Sequence, residues 1–162
     1  MPTKEYCNYI ADNLKHETYR EVIGLCGRSN IRQEVEDCVT LSEWSRVLLL
    51  DGVPLMVFGI QMVEPINRVG CVWMLSTELT QEHKVFVGRA TKKYLRKFME
   101  HYSMLFNYVD ANNNFILRWL RYLGATIYEP QPCGIFGIPY RRFEFTKQGL
   151  FKRYKKSERW CD

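Results

Sequence analysis

The chain has no long apolar run. No stretch reaches the roughly eighteen uninterrupted apolar residues that a membrane span needs, and the opening "MPTKEYCNYIADNL" lacks an apolar segment of secretory type. The protein is therefore expected not to be secreted. Histidine is scarce: His16, His83 and His101 make no H-E-x-x-H or comparable zinc spacing with one another or with the cysteines. No structural metal is expected. The six cysteines, Cys7, Cys26, Cys38, Cys71, Cys133 and Cys161, form no C-x-x-C pair. Without a secretory segment, reduced thiols are expected rather than disulfides. There is no internal repeat and no linker long enough to divide domains, so 162 residues suggest one domain with a full core.

What is present is a mildly basic chain, net charge +5 and pI near 8.9, with 14% aromatic residues. Part of the charge crowds into "FKRYKKSERW", where Lys152, Arg153, Lys155, Lys156 and Arg159 stand among Phe151, Tyr154 and Trp160. A solvated basic tail over 147–162 is the expectation. Nucleic-acid binding through this tail and the lysine-rich helix described below ranks lower, since charged faces are usually just solvated.

The first quarter reads as helical. Tyr6, Ile10 and Leu14 fall on one stripe, then Tyr19, Val22, Ile23 and Cys26 on another, with Gly27 as a stop. Residues 28–37 read as a polar loop with a helical turn, and "TLSEWSR" as a short helix opened by Thr40 or Ser42. The period then changes. Asp51-Gly52 between two apolar runs signals a hairpin, Pro54 sits where a missing amide costs least, and Gly59 marks a bulge or a close backbone approach. "GCVWMLST" reads as a buried strand.

From Glu82 to Tyr102 runs the longest helical pattern. Phe86, Ala90, Tyr94, Phe98 and Tyr102 form its stripe, with Leu95 and Met99 beside them and Lys92, Lys93, Arg96 and Lys97 opposite. "MLFNYVD" is strand-like. Asn112 or Asn113 then caps a helix whose apolar positions are Ile116, Trp119, Leu120 and Leu123, and Gly124 ends it. "ATIYEP" reads as a strand, "QPCGIFGIPY" as a Gly/Pro loop, and "RRFEFT" as a last strand. Together these give an α/β fold, a mixed sheet flanked by helices.

Strand, long helix, strand, Asn-capped helix, Leu-Gly and strand resembles the back half of the GCN5-related N-acetyltransferase (GNAT) fold. "NNFILRWLRYLGA", with Asn113 eleven residues before Gly124, matches the last helix of that superfamily. More closely, "ADNLKHETYREV", "PLMVFGI", "VWMLSTELTQEHKVF", "LFNYVDANNNFILRWLRYLGA" and "GIFGIPYRRFEF" resemble the acetyltransferase-like family of short-tailed phages (podoviruses) that includes the internal core protein of the virion. The resemblance implies a GNAT-like domain over 1–146 that transfers an acetyl group from acetyl-CoA to an amine, on a protein lysine or a small molecule. It implies a location in the host cytoplasm or virion, and a host or virion protein as partner.

The resemblance also implies a site. Met74, Leu75 and Thr77 would line the pantetheine slot, Gln81 to Phe86, with His83 and Lys84, would form the pyrophosphate loop, and Asn113 would lie near the cofactor arm. Two departures stand against this. Lys84 and Phe86 occupy places where the superfamily loop, Gln/Arg-x-x-Gly-x-Gly/Ala, has small residues, although Lys84 or His83 can compensate by charge. Leu120 stands where the general-acid tyrosine is customary, and Tyr122 lies about 200° further round the helix. No catalytic residue is assigned; Glu21 and Glu64 are bases by residue type only. The departures leave an alternative open, a non-catalytic virion or interaction protein on a degenerate GNAT scaffold.

Overall fold

A computed structural model describes residues 1–27 and 30–150. Three helices come first: α1 (Lys4–Asp12), α2 (His16–Cys26) and α3 (Ile31–Thr40). Thr3 caps α1 by accepting from the Tyr6 amide, Asn30 caps α3 by accepting from the Gln33 amide, and Gly27 closes α2 in the left-handed region. The polar segment expected to be a loop is thus largely α3. Its apolar residues Ile31, Val35 and Val39 recur every four positions and are buried.

The sheet begins with β1 (Trp44–Leu50) and β2 (Val53–Glu64), followed by β3 (Val69–Ser76). The β1–β2 turn has φ 49° at Asp51 and 81° at Gly52, the sign both residues need in a tight hairpin. The short helix expected over "TLSEWSR" is not formed: Trp44 pairs with Ile60, and its ring packs on Phe58, Tyr94 and Phe98. Burial of an indole among three rings outweighs local helical preference. Gly59 is a close approach rather than a bulge, since a Cβ there would come within 2.6 Å of the Trp44 carbonyl.

After β3 come a single turn, α4 (Leu79–Glu82), and the long helix α5 (Lys84–His101), broken from one another at His83. Then follow β4 (Met104–Asp110), α6 (Asn114–Leu123), β5 (Thr126–Cys133) and β6 (Ile138–Thr146). The six strands lie in the order β1-β2-β3-β4-β6-β5, and only β3 and β4 are parallel. The Gly/Pro loop between the last strands shrinks to residues 134–137. Pro130 and Pro132 are accommodated in β5 because it is an edge strand.

Two cores hold the layers together. On one face Cys7, Ile10, Val35 and Val39 pack with Val57, Trp73 and Leu75, and Val22 and Ile23 of α2 join them. On the other, α5 and α6 cover the sheet with Leu95, Phe98, Met99, Leu117, Leu120 and Leu123. The buried stripe of α5 runs through Val87, Leu95, Phe98 and Met99. Phe86, expected to begin that stripe, is instead 39% exposed. Residues 147–150 form a helical turn, and the basic run from 151 onward lies outside the described residues.

Candidate active site

The site originates in a fault in the sheet. β3 and β4 pair only at Val69–Met104, Gly70–Leu105 and Cys71–Phe106, then diverge. At the point of divergence Asn107 donates its side-chain amide to the Val72 carbonyl (2.8 Å), and its own oxygen accepts from the Tyr108 amide (2.7 Å). One asparagine therefore spans the gap and occupies backbone groups that the missing ladder leaves free. Beyond it, the gap is lined by Glu17, Thr18 and Glu21 of α2 and also by Tyr94, Ile116 and Trp119 of α5 and α6. The recess, about 150 Å³, thus takes residues from both faces of the sheet.

A larger cleft of about 370 Å³ adjoins it on the helical side. Its walls are Met74 and Ser76 of β3, Thr80, Gln81, Lys84 and Val87 around the start of α5, and Phe115, Ile116, Arg118 and Trp119 of α6. The apolar arc of α6 is thereby divided. Leu117, Leu120 and Leu123 enter the core, while Ile116 and Trp119 face the cleft. No side chain caps the first turn of α5, and no acidic residue lies in it. Its amides and dipole, with Lys84 beside them, form a cationic end to the cleft.

Lys15 joins cleft and recess, and lines both. The chain before α2 is laid on the end of β3: Leu14 bridges Thr77, the Lys15 amide donates to Ser76 (2.8 Å), and the His16 amide donates to Glu78 (3.2 Å). The Lys15 side chain is 8% exposed, with its ammonium 3.8 Å from Glu17. Sequence reasoning missed Lys15 because its role depends on contact with a strand some sixty residues further along the chain.

Of the residues singled out from the sequence, Met74, Gln81 and Lys84 line the cleft. The Leu75 side chain faces the opposite core, and Thr77 is buried with its hydroxyl on the Leu55 carbonyl (3.0 Å). The Thr77 amide is bonded to the Leu55 carbonyl and Leu75 pairs with Val57 of β2, and neither residue lines the cleft. The span expected to be a loop, Gln81 to Phe86, is helical on both sides of His83, which is not among the lining residues. Phe86 also lies off the cleft. Asn113 caps α6, accepting from the Ile116 amide (3.2 Å), and lines the recess.

The two carboxylates named from residue type differ sharply. Glu64 caps an exposed turn through the amides of Ile66 (2.8 Å) and Asn67 (2.9 Å). Glu21 stands in the recess and accepts from Asn113 (2.9 Å) and the Asp110 amide (3.4 Å). Burial raises its carboxyl above the usual range; the Asn113 and Asp110 bonds and Lys15 oppose that shift, and the Asp110 charge adds to it. Leu120 is buried, and Tyr122 is engaged with Lys92 on the outside. Tyr108 of β4 also lines the recess, and its phenol is the one contributed by that strand.

No family model matches the chain, and no curated protein matches it. Solved structures do match. Aminoglycoside acetyltransferase AAC(6')-Ib in complex with coenzyme A superposes with a TM-score of 0.69 at 12% identity, covering 96% of each chain. A spermidine N-acetyltransferase chimera of Vibrio cholerae SpeG and hSSAT gives 0.70 at 12% identity, covering 93% of this chain and 95% of that one. Salmonella typhimurium YncA, classed as an acetyltransferase and solved with its cofactor acetyl-CoA, gives 0.64 at 14% identity over 90% of both. At such identities the likeness is one of fold. The chain has the fold of the GNAT acetyltransferases: one α/β domain with a six-stranded mixed sheet flanked by helices.

Proposed function

We propose that this protein is an acetyl-CoA-dependent N-acetyltransferase. The observation that carries the reading is the conjunction of a parted β3–β4 pair with a cationic, uncapped start to α5 at the end of the same cleft. An elongated ligand with an anionic diphosphate at one end and an amide-bearing arm at the other fits that shape and polarity. Phe86 is 39% exposed and is not among the residues that line the cleft, which supports an open mouth despite its position in the span. The same observation disfavours the degenerate, non-catalytic alternative.

When bound, acetyl-CoA supplies an acetyl group activated as a thioester. Lys84, Lys15 and the first amides of α5 would hold its diphosphate, and the free backbone of β3 beyond Val72 would pair with the arm. The acceptor amine would come from the α2 side, where Glu21 takes its proton. Tyr108 would return a proton to the departing sulfur, in place of the tyrosine missing at position 120. The phage-type assignment, with host cytoplasm or virion as location, rests on the sequence segments alone.

Titration with acetyl-CoA, followed by release of free thiol in the presence of a panel of primary amines, tests this reading. Saturable heat and amine-dependent thiol release are expected. Absence of both heat and thermal shift at millimolar acetyl-CoA overturns it. Mass spectrometry of purified virions and infected-cell extracts tests the phage assignment.

A further inference from the structure

Asn113 is bonded at both ends of its amide. Its oxygen accepts from the Ile116 amide as the α6 cap, so its nitrogen must face the other way, toward Glu21 Oε1 at 2.9 Å. The cap thereby settles the orientation of a group that could otherwise flip. The Asp110 amide donates to the same oxygen of Glu21. Both bonds thus fall on Oε1, and Oε2 of this recess-lining carboxylate makes no hydrogen bond among the described residues.

We infer that Asn113 is the positioning residue of Glu21: the helix cap aims its amide, which anchors Oε1 and presents Oε2 to the acceptor amine. The inference rests on the acetyl-transfer reading and adds to it a division of labour between the two carboxylate oxygens. It also gives Asn113 work within the protein rather than on the cofactor arm. The surroundings of Glu21 are mixed. Lys15 and Glu17 approach from its own side of the fold, Asp110 and Tyr108 from β4, and Tyr140 of β6 donates to the Glu21 backbone carbonyl at 3.2 Å. Among the described residues, Asn113 and the Asp110 amide are the groups that bond the carboxylate directly.

Two variants separate positioning from mere capping. Asn113→Ser keeps a good helix cap but is too short to reach Glu21, and Asn113→Asp keeps the cap while replacing the donor with a second carboxylate. A carbon-detected NMR titration of the Glu21 carboxyl in the full chain is expected to show the midpoint rising from wild type to Asn113→Ser, and further in Asn113→Asp. Below the Glu21 midpoint, where the carboxyl is neutral, the melting temperature of Asn113→Ser should stay close to that of wild type. The acid limb of kcat/KM should move with the midpoint, losing about tenfold in rate on its acid side per pH unit of displacement. In a Glu21→Gln background, Asn113→Ser should add no further loss.

An unmoved NMR midpoint in both variants overturns the positioning. A moved midpoint with a stationary acid limb overturns its part in turnover. If wild-type protein transfers no acetyl group while the NMR order holds, the acetyl-transfer reading falls, and with it the catalytic part of this inference.

Discussion

The ammonium of Lys15 lies 5.0 Å from the centre of the Phe115 ring, and that of Lys84 lies 5.8 Å from the same ring. One aromatic at the start of α6 thus gathers two cations from distant parts of the chain at the mouth of one cleft. Lys15→Met and Lys84→Met are each expected to weaken acetyl-CoA binding about three- to tenfold, in line with about 1 kcal/mol for a charge-assisted contact. Calorimetry at rising salt checks this: the wild-type affinity should fall more steeply than that of either variant.

Glu21→Gln should lower kcat/KM by about 10²–10⁴-fold, the usual contribution of a general base, while leaving acetyl-CoA affinity unchanged. Its effect on stability should run the other way. Burial raises the Glu21 pKa in the fold, so the stability linked to this group is full below the unfolded value and is lost as pH rises through the folded one. The glutamine variant should therefore melt above wild type at neutral pH and lose that advantage on acidification below the unfolded value. Thermal melts across pH 3–8 would show it.

Asn107→Val removes the amide that spans the gap and substitutes a side chain suited to a strand. The Val72 carbonyl then lacks its partner, which should cost about 1–3 kcal/mol unless β3 and β4 close on each other. Closure should abolish acetyl-CoA binding while the far-ultraviolet circular dichroism stays that of the wild type; a gap that stays open should lower stability and leave binding largely intact.

Gly134→Ala should destabilise the fold by about 2 kcal/mol. Its φ is +67°, and an added Cβ would lie 2.2 Å from the Gly24 carbonyl of α2. Because that contact also seats α2, the acceptor KM should rise more than the acetyl-CoA Kd. Chemical denaturation and initial-rate kinetics test the two parts.

Cys71 should resist alkylation. Burial pushes its thiol up to about 11, leaving little thiolate at pH 8. Iodoacetamide labelling followed by mass mapping should modify Cys71 slowly in the native protein and readily in denaturant.

Local signals in the sequence were enough to place some elements. Asp51-Gly52 marks the first hairpin because the required backbone angles belong to those two residues. Asn113 and Gly124 bound α6 because capping is settled within one helical turn. What could not be read locally depended on distant partners. Trp44 joins a strand because three aromatic rings from β2 and α5 await it. The buried stripe of α5 begins at Val87, which also lines the cleft, rather than at Phe86. Glu21 and Glu64 look alike in sequence and part company only when Asn113 and Asp110 are folded against one of them. The fold class was therefore legible, and the candidate site in part: Met74, Gln81, Lys84 and Asn113 were singled out, whereas Lys15 was not.

The asparagine across the sheet's fault has one more consequence. It keeps a slit standing in the resting protein, so a visitor meets an aperture already shaped, and little ordering of the chain is left to oppose docking. Capture should then be governed by diffusion and charge, with no slow opening step ahead of it.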